Sequence, residues 1–139
     1  MNVRVQDVLA GYTPPGVYRF LGRAAPQIIC SRAEAAGWRC FHLDGTAIDS
    51  KRALLDAIAV AAAFPAYCGR NWDALEECLR DLSWTSASGY LLLWDDARVL
   101  AKADPKAYAT ALSILESVSL YWESRGVPFI VLLRRSGRA

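Results

Sequence analysis

The sequence predicts a small α/β layer with parallel strand pairing, and three observations carry that prediction. Two unbroken apolar runs of strand length, at residues 90–94 and 127–133, read as strands covered on both faces. Helical segments with recognisable starts separate these runs from each other and from an alternating run at residues 38–43. Each connection between strands therefore contains a helix, which is the crossover that parallel neighbours require.

The elements follow in order. Residues 1–16 contain Gly11, Pro14, Pro15 and Gly16 and read as a loosely ordered lead-in. Residues 17–21 suit a short strand, and residues 24–36 a helix stopped at Gly37. The alternating run then passes into a turn at Asp44-Gly45. Ser50 suits an N-cap for a helix with Leu54, Leu55, Ile58 and Ala61 or Ala62 on its apolar face. Pro65 cannot continue that helix.

A connector, residues 65–70, leads to a second N-cap at Asn71, after which Trp72, Leu75, Leu79 and Leu82 form one stripe. Asp95-Asp96 reads as the start of a short helix reaching Ala101. Asp104-Pro105 is a cap followed by proline at the first helical position. Tyr108, Ala111, Leu112, Leu115, Val118 and Trp122 trace the face of the helix that follows, which Gly126 ends. No internal repeat or low-complexity segment is visible.

With 139 residues, 54% of them hydrophobic, the chain suits one domain with a real core and excludes disorder. The longest apolar stretch, residues 57–64, stops at Pro65, well short of the ~20 residues a spanning helix needs. The first sixteen residues lack a continuous apolar segment, so the expected location is cytoplasmic and no membrane partner is expected.

Four cysteines, Cys30, Cys40, Cys68 and Cys78, allow two disulfides in principle. For a cytoplasmic protein the expectation is four reduced thiols, mostly buried, with Cys68 the more exposed because it lies in a turn. No pair has C-x-x-C spacing and His42 is the only histidine, so neither a metal site nor any other cofactor is expected. Phosphate-binding glycine loops are missing. His42 lies inside a strand, and no proton-transfer constellation surrounds it in sequence, so no enzyme is expected.

The net charge of +2 hides an asymmetry. Residues 44–123 hold more acids than bases, whereas residues 124–139 carry Arg125, Arg134, Arg135 and Arg138 and no acid. The arginine tail reads as a solvated terminus; the rival reading is a weak nucleic-acid patch. The acidic centre is more informative. Asp73, Glu77 and Asp81 stand four residues apart on one helical ridge, with Glu76 beside it, while the apolar stripe faces the other way. Such like-charge neighbours cost about 0.2–0.5 kcal/mol each in an isolated helix, and only Arg80 interrupts them. A solvated face explains the acids alone. Tyr67, presented by the turn before Gly69, adds an aromatic beside them, which suits docking into a basic cleft on another protein.

The run Pro65-x-Tyr67-x-Gly69-x-Asn71-x-Asp73-Ala74-Leu75-x-x-Cys78-Leu79 resembles the barstar family of ribonuclease inhibitors. The likeness extends from about Trp38 to Arg134, taking in Leu43-Asp44-Gly45, the residue 91–94 strand and the terminal strand after Gly126. It implies three parallel strands packed with helices, with residues 17–21 a candidate fourth. The chain is then one domain, residues 1–139, with an extension at 1–36 and a core at 37–134.

The resemblance also implies a binding surface. Tyr67, Gly69, Asn71 and Asp73 match family positions at or near the inhibitory surface, and Glu77 stands where the family has its central aspartate. Glu76 replaces a tryptophan, and Tyr121 stands where an interface acid is expected. Glu76, Glu77 and Asp81 complete the candidate site. The expected partner is a basic ribonuclease or toxin-like nuclease, held one-to-one by a monomer, with no direct nucleic-acid contact. The alternative is an interaction module for a non-nuclease partner.

Overall fold

The computed structural model describes residues 3–137. Its centre is β3 (Gly89–Asp95), every residue of which is buried. β4 (Phe129–Arg134) pairs with it on one side and β2 (Trp38–Asp44) on the other, both parallel. β1 (Gly16–Phe20) adds a parallel edge strand to β4, giving the order β1-β4-β3-β2. The candidate fourth strand is therefore real.

The helices are α1 (Val5–Leu9), α2 (Pro26–Ala35), α3 (Lys51–Ala61), α4 (Trp72–Asp81), α5 (Arg98–Ala103) and α6 (Pro105–Glu123). Three start where short-range capping dictates. Ser50 Oγ accepts from the Ala53 amide at 3.1 Å, Asn71 Oδ1 from Ala74 at 2.7 Å and Asp104 Oδ1 from Ala107 at 3.0 Å.

Alternation along the strands divides the core in two. Phe41, Leu43, Tyr90, Leu92, Trp94, Phe129, Val131 and Leu133 face one side, where α3, α4 and α6 contribute Leu54, Ile58, Leu75, Leu79 and Leu115. Leu91, Leu93, Ile130 and Leu132 face the other, covered by Val3, Val5, Val8, Phe20, Ile29 and Ala33. The expectation of a loose lead-in over residues 1–16 is thus corrected. Val5 and Val8 of α1 are buried because the second face of an all-parallel sheet must be kept from water.

The carboxyl ends of the strands hold the second correction. Asp95 does not start a helix: it closes β3 at 4% exposure, and α5 begins only at Arg98. Arg134, expected in a solvated tail, is equally buried and pairs with Asp95 through Nε and Nη2. Its Nη1 donates to the carbonyls of Gly22 and Ala24 at 3.0 and 2.7 Å, tying the β1–α2 link to the sheet. His42 Nε2 lies 2.9 Å from Asp95 Oδ2, which gives the lone histidine a structural partner. Burial alone would raise the Asp95 carboxyl, but the Arg134 and His42 contacts outweigh it and hold the group below its ordinary value. Close by, a Cβ on Gly45 would overlap the Asp95 carbonyl, so only glycine lets the turn after β2 pass there. Arg135 pairs with Asp96 at 2.8 Å, so the nucleic-acid patch loses two cations; Arg138 lies outside the described residues.

The cysteines are paired. Cys30–Cys40 joins α2 to β2, with Cα atoms 5.2 Å apart, and Cys68–Cys78 joins the connector to α4, 6.4 Å apart. Both bridges close ten-residue separations, and that repeated spacing was the available signal. Cys68 is also buried, at 5% exposure, not exposed in its turn. The correction has a packing cause: each pair lies on two consecutive elements that the fold lays against one another.

Candidate functional site

The connector leaves α3 through Ala63, in left-handed backbone, and Pro65, which bars further helix. The Cys68 amide donates to the Pro65 carbonyl at 3.0 Å, closing a tight turn. Arg70 holds that turn from the side, donating to the Cys68 carbonyl and to Asp56 Oδ1, each at 3.2 Å. Tyr67 is left projecting at 71% exposure, its ring edge-on to Trp84. The Tyr67 hydroxyl donates to Asp81 Oδ2 at 3.3 Å. Partial desolvation, then the Asp81 charge, hold the phenol above its ordinary range.

α4 sorts its side chains as its spacing dictates. Leu75, Cys78 and Leu79 are buried, whereas Asp73, Glu77 and Asp81 are exposed along the opposite ridge. Among the described residues these three carboxylates have no ion pair. Glu76 behaves differently. Its Oε2 accepts from Arg80 Nη2 and from Ser117 Oγ of α6, both at 2.7 Å, so its charge is spent inside the fold. Trp122 Nε1 donates to the Leu79 carbonyl at 2.8 Å and fixes α6 against α4.

Asp73, Glu76, Glu77, Arg80, Asp81 and Tyr121 line one shallow depression. On the other side of the ridge, Lys51, Gly69, Asn71, Trp72, Asp73, Ala74 and Glu77 line a second. The structure thus brings Gly69, Asn71, Asp73 and Glu77 to one rim and Glu76, Glu77 and Asp81 to the other, with Tyr67 tied to Asp81. The Asn71 side chain caps α4.

Sequence reasoning missed the margin formed by Arg80 and Arg125. Their guanidinium carbons lie 5.2 and 4.6 Å from the Tyr121 ring centre, the range of cation–π contact. Tyr121 and Arg125 stand four residues apart, but only the packing of α4 on α6 brings Arg80 to the same ring. Among the described residues no group of His, Cys, Asp and Glu side chains could hold a metal, and no helix is long and apolar enough to cross a membrane. What the surface offers is anionic charge on a helix, flanked by an aromatic.

No curated protein matches the chain. A family model described as Barstar (barnase inhibitor) matches residues 38–134, which span β2 to β4 and include the connector, α4 and Tyr121. With that match over more than half its length, and with four parallel strands carrying an acidic helix and its connector, the chain belongs to the barstar family, whose members are ribonuclease inhibitors and not enzymes.

Proposed function

We propose that this chain is the immunity protein of a basic ribonuclease, blocking the enzyme's active site with α4 and the preceding connector. One observation carries the reading: Asp73, Glu77 and Asp81, without an ion pair among the described residues, stand on one ridge beside an exposed Tyr67, while the apolar side of the helix is buried. Carboxylates so placed take the positions of RNA phosphates in a pocket lined by Lys, Arg and His, and Tyr67 stacks at its mouth. Attraction between an acidic ridge and a basic cleft speeds encounter and weakens as salt rises.

The same reading takes Gly69 and Asn71 as contact positions, Glu76 as a member of the surface whose charge is already matched, and the chain as one domain acting as a monomer in a one-to-one complex. It treats residues 1–36 as an addition to a core at 37–134. It keeps the cytoplasm as the place of action; the two disulfides then make thiol redox state a variable there. Arg125, set over the Tyr121 ring beside the ridge, favours the alternative, a non-nuclease partner.

The test is inhibition of RNA cleavage. Proteins captured by the chain from its source organism are assayed on a fluorogenic RNA, with and without the chain, and again with the Asp73→Ala/Glu77→Gln variant. The expected result is captured nuclease activity that the chain silences at one equivalent and that the variant silences poorly while still folded. Retained proteins without nuclease activity, or equal inhibition by the variant, would overturn the reading.

A further inference from the structure

The Cys68–Cys78 bridge encloses most of the surface proposed above. Gly69, Asn71, Asp73, Glu76 and Glu77 lie inside the covalent loop, Tyr67 immediately precedes it, and Asp81 follows three residues after its end. Both sulfur-bearing residues are turned inward at 5% exposure, while their chain neighbours Tyr67, Gly69 and Glu77 are exposed. The bridge therefore fastens the two halves of the surface from beneath. Cys30–Cys40 encloses none of these residues; it joins α2 to β2 at the second face of the sheet.

We infer that Cys68 and Cys78 are positioning residues of the partner-binding surface, so that its competent form is the oxidised one. The inference rests on the function proposed above for the partner's identity, though not for the mechanical claim. Without the bridge, few contacts hold residues 65–70 in place. They include the Cys68 amide to the Pro65 carbonyl, Arg70 to the Cys68 carbonyl and Asp56, the edge-on Tyr67–Trp84 contact and the water-exposed Tyr67–Asp81 bond. Asp73, Glu77 and Asp81 stay on their helix regardless, because Asn71 and the buried stripe hold α4. Reduction thus separates the aromatic part of the surface from the acidic part.

The chemistry is ordinary thiol–disulfide exchange with a dithiol reductant. A thiolate of the reductant attacks one sulfur, the S–S bond breaks, and a mixed disulfide forms. The second thiol of the reductant then displaces it, leaving Cys68 and Cys78 as thiols and the reductant as a disulfide, two electrons and two protons having passed to the protein. Because the bridge is buried, attack requires the connector to open. A partner seated on the connector therefore slows reduction; separately, a partner that binds the bridged form more tightly than the reduced form shifts the thiol–disulfide equilibrium toward the bridge by the same factor.

Amide hydrogen exchange on the free protein tests this without any partner. In C68A/C78A, exchange at position 68, whose amide bonds to Pro65, should quicken about tenfold or more, with β3 and β4 amides unchanged. In C30A/C40A, the position-68 amide should keep its protection until the remaining bridge is reduced with a phosphine. Unchanged exchange at position 68 in C68A/C78A would overturn the inference. So would lost protection throughout the sheet, because the bridge would then brace the whole fold. Where a nuclease is captured, its release from C30A/C40A should quicken about tenfold on reduction, and equal release would also overturn it. A chain that inhibits no nuclease yet shows the exchange pattern fails the function proposed above, not this inference.

Discussion

The Tyr67 hydroxyl and the Asp81 carboxylate are 3.3 Å apart, so the one exposed aromatic of the connector is tied to the last acid of α4. The ring also packs edge-on against Trp84. In Tyr67→Phe the ring remains but the tie is gone. Stability should change by less than about 0.5 kcal/mol, as for exposed substitutions generally. Partner affinity should fall modestly, and Tyr67→Ala should cost it much more. Melting and titration of both variants check the order.

Gly69 is not required by the fold. Its backbone is outside the left-handed region, and an added Cβ would meet Ala74 Cβ and Asn71 Nδ2 at an ordinary 3.5 Å. Gly69→Ala should therefore leave stability unchanged or raise it by up to about 1 kcal/mol, through a less flexible unfolded chain. If a partner's backbone approaches closely there, the same change should weaken inhibition. A drop in both melting temperature and inhibition would contradict this.

Glu76 and Glu77 are neighbours in sequence with different expected roles. Glu76 is matched by Arg80 and Ser117, whereas Glu77 has no ion pair among the described residues. Glu77→Gln should slow association and flatten its salt dependence, because an exposed charge acts at a distance that salt screens over about 8 Å at physiological strength. Glu76→Gln should change association less and stability more. Association rates at low and high salt, beside melting curves, separate the two.

Acid should unfold the protein partly through Asp95. Its folded carboxyl titrates below the ordinary value, so its contribution is fully present above about pH 4 and is lost as pH falls through the lower folded value. Asp95→Asn should remove this acid sensitivity. It should also cost on the order of 3 kcal/mol at neutral pH by leaving Arg134 buried without its counter-charge. Denaturant unfolding of both proteins between pH 3 and about 7 checks sign and size.

Ile29 measures what the first 36 residues contribute. It is a residue of α2, fully buried against the second face of the sheet. Ile29→Ala should cost about 2–5 kcal/mol. A chain beginning at residue 37 should expose Leu91, Leu93, Ile130 and Leu132 and lose cooperative unfolding. A sharp, unchanged melt from the shortened chain would show the cover to be dispensable.

Much of the architecture was legible because its signals act within a few residues. Ser50, Asn71 and Asp104 cap the helices that follow them, and the apolar run of β3 is buried on both faces. Asp73, Glu77 and Asp81 share a ridge because four residues make about one helical turn. Long-range partners decided the rest. Arg134 is buried and not solvated because β3 and β4 are neighbours, which places it beside Asp95, 39 positions earlier. The cysteines pair, α1 covers the second sheet face, and Ser117 of α6 reaches the Glu76–Arg80 pair of α4, all because separate elements pack together. A residue's own spacing shows which way it points from its helix or strand; only the assembled layers show what it meets there.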